Sequence, residues 1–215
     1  MMNRIGSGYS IISSISPRLK RLLPNVLARE QIVSLSLQGI PRRETACNVV
    51  ARCIKAAVET SLSNSSLILN ETQHIAVHEL MLNMAMHGRG GEFIINRISI
   101  KGSWAFDEKI VETCALDNGI GIINDINSLL ARSMKVHKKL GEEDCSPAIR
   151  TNIGFANIFR NSDQMEVETC GARWFKIPDN KFQKLRGRVT EGSYFRLLFF
   201  LGKPANFHVG SGEIL

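Results

Sequence analysis

HELMLNMAMHG, residues 78–88, is a run of Leu, Met and Ala in which Glu79, Asn83 and His87 recur every four residues. At that spacing side chains stack along one face of a helix, one turn after another. Ile75, Ala76, Leu80, Met81, Leu82, Met84 and Ala85 leave almost no face uniformly polar, which predicts a helix buried on most sides. A carboxylate in such a helix is costly without compensation. The plain explanation is that Glu79 faces a solvent gap and Asn83 bonds to backbone. The alternative is a magnesium nucleotide. Mg²⁺ takes oxygen ligands and keeps several waters, so the Asn83 amide oxygen plus phosphate oxygens would fill its shell. Glu79, one turn away, would orient or deprotonate an attacking group. A zinc site on His74, His78 and Glu79 fails the HExxH test, because Leu82 stands where the second His belongs.

Outward from this helix, Asn70 or Thr72 supplies its cap, and Gly88 followed by RGG supplies its stop. Upstream, residues 32–41 alternate Val33, Leu35 and Leu37 with Ser34, Ser36 and Gln38, the period of a half-buried strand that Pro41 ends. A helix from Glu44 or Thr45 follows, with Val49, Cys53, Ala56 and Ala57 at helical spacing, then a loop over 61–66. Downstream, 92–102 and 109–117 read as a hairpin turning at WAFDE. A short helix follows from about 124, then a loop over 141–152, a helix opening at Gly154, strands over 164–171 and 172–177, a basic loop, and a strand over 193–200. Helices cluster between strands without βαβ alternation. The fold class this predicts is α+β, a two-layer α/β sandwich with a mixed, mostly antiparallel sheet covered by helices on one face.

Composition bounds the function. A chain of 215 residues, 44% of them hydrophobic, builds one core. No apolar run approaches the roughly 20 residues of a membrane helix. The net charge of +7 favours phosphate-bearing partners, but scattered Phe residues make no base-stacking platform, so nucleic acid is not the expected partner. Cys47, Cys53, Cys114, Cys145 and Cys170 are odd in number and lack CxxC spacing, which fits a reducing, cytoplasmic setting. Residues 1–30, Ser-rich with Arg4, Arg18, Lys20, Arg21 and Arg29, read as a basic arm before a domain over 31–202, and 203–215 as a tail.

Two further strings bear on the site. In DNGIGI, residues 117–122, Asp117 ends an apolar strand, and Gly119 and Gly121 allow close backbone approaches that a side chain would block. An ordinary turn uses the same residues. In TNIGFANIFR, residues 151–160, Gly154 opens a helix whose free N–H groups suit phosphate. It equally serves as a plain helix entry.

Taken in order, a helix with ExxxN, a strand ending in DxGxG, a variable lid, a Gly-opened helix and a hairpin ending at Gly192-Ser193 resemble the GHKL ATP-binding (Bergerat) fold. Gyrase, heat-shock chaperones, histidine kinases and mismatch-repair ATPases share that fold. Glu79 and Asn83 match its N box, Asp117, Gly119 and Gly121 its first glycine box, and Gly154 part of its second. Within the superfamily the chain is most similar to the small anti-sigma factor serine kinases, with His87-Gly88 closing the N box; the likeness spans about residues 31 to 201. It departs in the second glycine box, where Asn152, Gly154 and Ala156 keep a single glycine.

The resemblance implies an ATP-dependent serine/threonine kinase or ATPase. Asp117 would accept from the adenine amino group, Asn83 would hold Mg²⁺, and Glu79 would be the general base. His87, Gly119, Gly121 and Gly154 would line the nucleotide. Lys135, Lys138 and Lys139 fall within the lid, roughly 123 to 152, and read first as a solvated helix face and only second as phosphate contacts. It further implies a sigma factor or anti-anti-sigma-like protein partner and a homodimer. A nucleotide-responsive binding module with little or no catalysis is the alternative.

Overall fold

The computed structural model describes residues 8–99, 109–122, 125–140, 153–177 and 181–201. The WAFDE turn, the 141–152 loop and the tail after 202 lie outside them. In chain order the elements are β1 (Tyr9–Ile11), α1 (Pro17–Leu22), β2 (Ala28–Gln38) and α2 (Arg43–Cys53). A π-helical segment, Ile54–Glu59, continues α2 into α3 (Thr60–Asn64), followed by α4 (Glu71–Met86), β3 (Gly90–Ser99) and β4 (Lys109–Asp117). After these come α5 (Ile126–Leu140), α6 (Ile153–Arg160), β5 (Gln164–Thr169), β6 (Ala172–Ile177), β7 (Lys181–Arg186) and β8 (Ser193–Leu201).

The strands form one eight-stranded sheet in the order β1-β2-β3-β4-β8-β5-β6-β7. Every pairing among the described residues is antiparallel, so the sheet is not mixed. Two helical passes, α2 with α3 and then α4, return the chain to the end of β2 it left, so β3 must run against β2. The α+β expectation holds, and the arrangement is compatible with a two-layer sandwich.

One sheet face carries Leu35, Phe93, Val111, Val167 and Phe199, which pack with Val50, Leu80, Met81, Met84 and Phe159 of the helices in the principal core. Apolar burial of this kind stabilises by roughly 25 cal/mol per Å². The opposite face is covered as well. Leu19 and Leu22 of α1 pack with Ile94, Cys114, Leu116 and Tyr194, and Val26 packs against Ile98, Ile110, Leu198 and Phe200. Residues 15–26 of the segment read as an arm are therefore a strap on the second face, while residues 1–7 of it lie outside the described residues. Ser16 caps α1 through a bond accepted from Leu19 N–H, and β1 pairs with β2. The basic loop expected before β8 likewise contains an edge strand, β7, of which Phe182 is the buried residue.

Candidate functional site

The site begins with how α4 is fixed at both ends. Asn70 Oδ1 accepts the Gln73 N–H at 2.9 Å while Gln73 Oε1 accepts the Asn70 N–H at 3.0 Å, a reciprocal box that satisfies otherwise orphaned donors. At the other end the N–H groups of His87 and Gly88 both donate to the Asn83 carbonyl. Gly88 must be small: a Cβ there would stand 2.4 Å from Asp117 Cβ. The end of α4 is thereby laid directly on the end of β4.

Asp117 is 7% exposed. Its Oδ1 accepts two backbone N–H groups, from Gly119 and from Ser193, each at 2.9 Å. Burial pushes the carboxyl above its usual range, opposed by those two N–H groups and by the charge of Arg18. The glycine loop is held from across the sheet. Ile122 N–H donates to Thr169 Oγ1 at 2.8 Å, and Gly121, at φ +83°, leaves no room for a Cβ, which would lie 2.7 Å from the same oxygen.

Between these elements lies a cleft of about 210 Å³. Asn83, His87, Gly88, Asp117, Gly121 and Ser193 form its polar side. Leu80, Met84, Ile122, Leu129, Phe155 and Phe195 form an apolar wall suited to a flat ring. Small-molecule pockets run from about 300 Å³ upward, so this one has room for a ring-sized group.

Beside the cleft, α6 packs on α4. A Cβ on buried Gly154 would lie 2.7 Å from Glu79 Oε2 and 3.5 Å from both amide atoms of Asn83. Glu79, Asn83 and the first turn of α6 thus share one small volume. The far end of α6 is anchored by Lys176, whose Nζ donates to the carbonyls of Phe159 at 2.7 Å and Ser162 at 2.6 Å. Burial pushes the Lys176 pKa down to about 8.

The residues singled out in the sequence therefore converge. Asn83, His87, Asp117 and Gly121 line one cleft. Gly119 packs under it against the His87 carbonyl, and Glu79 and Gly154 meet beside it. Lys135 is exposed on α5, while the side chains of Lys138 and Lys139 lie outside the described residues. Sequence reasoning gave no role to Thr169, Ser133, Phe155 or Phe195, and saw Ser193 only as the end of a hairpin.

Among the described residues, no three His, Cys, Asp or Glu side chains gather to hold a metal. A cation that keeps its waters and takes phosphate oxygens needs only one or two protein ligands, and the half-buried Asn83 amide, on the cleft wall and beside Gly154, has the right chemistry for one. The described cysteines, Cys47, Cys53, Cys114 and Cys170, are free thiols. No helix of the described residues is long and apolar enough to cross a membrane. Comparison with family models, curated proteins and solved structures finds no match.

Proposed function

We propose that the cleft binds an adenine nucleotide and that the chain is a GHKL-like ATP-binding regulatory protein, of the anti-sigma factor serine kinase kind. The observation that carries this reading is Asp117: a buried carboxylate at a ring-sized cleft, with one oxygen fixed by two backbone N–H groups. A carboxylate so oriented accepts a hydrogen bond from an exocyclic amine. The apolar wall takes the faces of the base, and the phosphates extend toward Asn83 and the first turn of α6. Asn83 would hold Mg²⁺, which supplies charge neutralisation at the phosphates. Glu79 would act as general base on a serine hydroxyl of a partner protein, or on water. The partner would be a sigma factor or an anti-anti-sigma-like substrate protein, and the chain would work as a homodimer in the cytoplasm.

A second reading, a nucleotide-responsive binding module without catalysis, is favoured by Ala156. It is fully buried where another glycine of the second glycine box would stand. Calorimetric titration of ATP and ADP, with and without Mg²⁺, into the wild type and Asp117→Asn tests the nucleotide site common to both. Magnesium-dependent binding abolished by the substitution supports it, and a folded wild type that binds neither nucleotide removes both. Phosphate transfer to a partner, lost in Glu79→Gln, then separates kinase from module.

A further inference from the structure

Ser133 lies on α5, four residues after Leu129, and both line the cleft. Its side chain is wholly buried, yet its hydroxyl has no hydrogen-bond partner. A helical serine ordinarily satisfies its hydroxyl on the carbonyl one turn back, and Ser133 does not. Buried hydroxyls left unpaired are uncommon and costly in folded proteins. Two others, on Ser34 and Thr113, are also unpaired but do not line the cleft. Among the described residues, Ser133 is the one that combines an orphaned hydroxyl with a place in the cleft wall. The apolar side chains that line the cleft with it, Leu80, Met84, Leu129, Phe155 and Phe195, offer no hydrogen bond, and the polar residues of the lining leave its hydroxyl unpaired.

We propose that Ser133 is a ligand-binding residue of this cleft, making a hydrogen bond to the base or ribose of the bound nucleotide. The proposal rests on the nucleotide reading above and deepens it. Asp117 and Ser193 come from the ends of β4 and β8, whereas Ser133 comes from a helix, so the ligand is read by the sheet and by α5 at once. The contact belongs to the enclosed ring-sized space, so it does not depend on the number of phosphates. A ligand bonded to Ser133 also ties α5 to the sheet, and satisfies a polar group that the protein leaves unpaired.

The test is calorimetric titration of adenosine and of ATP with Mg²⁺ into the wild type and Ser133→Ala, with thermal melts of both proteins without ligand. The substitution is expected to weaken adenosine and ATP by the same factor, about tenfold, which corresponds to about 1.4 kcal/mol. The ligand-free melting temperature is expected to be unchanged or higher, since an unpaired buried hydroxyl has been removed. Wild-type affinity in Ser133→Ala overturns the proposal, and so does a loss seen with ATP alone, which would put the contact at the phosphates. A clear fall in the ligand-free melting temperature also overturns it, by showing that the hydroxyl serves the fold. A cooperatively melting wild type that binds neither ligand removes the nucleotide reading and this contact together. That result is distinct from a wild type that binds and a variant that binds equally well.

Discussion

The backbone N–H of Ser193 donates to Asp117 Oδ1 at 2.9 Å across a separation of 76 residues. The bond ties the first residue of β8 to the last of β4, just past the paired Leu116 and Tyr194. Gly119 N–H takes the other lone pair of the same oxygen. The orientation of the carboxylate oxygen Oδ1 is therefore set by two backbone N–H groups.

Asp117→Asn keeps an oxygen that can accept both N–H groups but turns the remaining oxygen into a donor. The fold is expected to survive while affinity for adenine nucleotide falls at least tenfold, about 1.4 kcal/mol. The pH profile adds an independent check. Because the folded pKa is raised, the folded state binds more protons than the unfolded chain from about pH 4 up to the raised value. Stability from this group therefore declines as pH rises through that window. Melts at acid and neutral pH should show that decline weakened in the variant, and wild-type nucleotide affinity in Asp117→Asn would count against the site.

Gly88→Ala tests the close approach of α4 to β4. The new methyl would lie 2.4 Å from Asp117 Cβ and 2.9 Å from the Met84 carbonyl, so backbone must move. A loss of about 1–3 kcal/mol is expected, as for overpacking elsewhere, with a parallel loss of ligand affinity because Asp117 is displaced. A denaturant midpoint equal to that of the wild type would show that the helix end yields without cost.

Much of the helix-bearing face was legible in the sequence because it obeys simple periods. Alternation placed Val33, Leu35 and Leu37 in the core, and of the two caps the sequence offered α4, Asn70 and Thr72, Asn70 is the one used. The second face was missed because its cover is a short segment whose basic, Ser-rich composition outweighs Leu19 and Leu22. A signal was nevertheless present. Ile94 and Ile95, Cys114 and Ala115, and the run 197–200 are apolar at consecutive positions, and strands buried on both faces read that way. β7 escaped because edge strands carry Lys and Arg against unwanted pairing, so KFQKLR looks like a loop. The bonds of Ser193 and Thr169 to the glycine loop join residues too distant in sequence for any spacing rule to link.

The strap makes a prediction that an arm would not. Leu19 is fully buried against the second sheet face. Leu19→Ala is expected to cost about 2–5 kcal/mol, the range for large-to-small changes in a core. Urea denaturation of the full chain measures it. A cost within 0.5 kcal/mol, typical of surface positions, would mean that α1 does not hold the sheet in solution.

On that same face Glu112, with no exposed side-chain surface, accepts from Arg29 at 2.8 and 3.2 Å, from Arg196 at 2.8 Å and from Asn96 at 2.9 Å. Burial pushes its carboxyl up, but the hydrogen bonds and charges of Arg29 and Arg196 outweigh this and hold it below the usual range. The unfolded chain therefore binds the proton first as pH falls. Stability from Glu112 is complete above the ordinary carboxylate range, about pH 4, and is lost progressively below it. Glu112→Ala should remove that acid limb and cost up to about 3–5 kcal/mol at neutral pH, because Arg196, only 5% exposed, keeps only its 3.9 Å contact with Glu166. Glu112→Gln keeps the shape and an acceptor for Arg196, and should fall between the two. Melting curves of the three proteins at pH 3 and pH 7 measure both effects. An unchanged acid limb in Glu112→Ala would show that the acid sensitivity arises elsewhere in the chain.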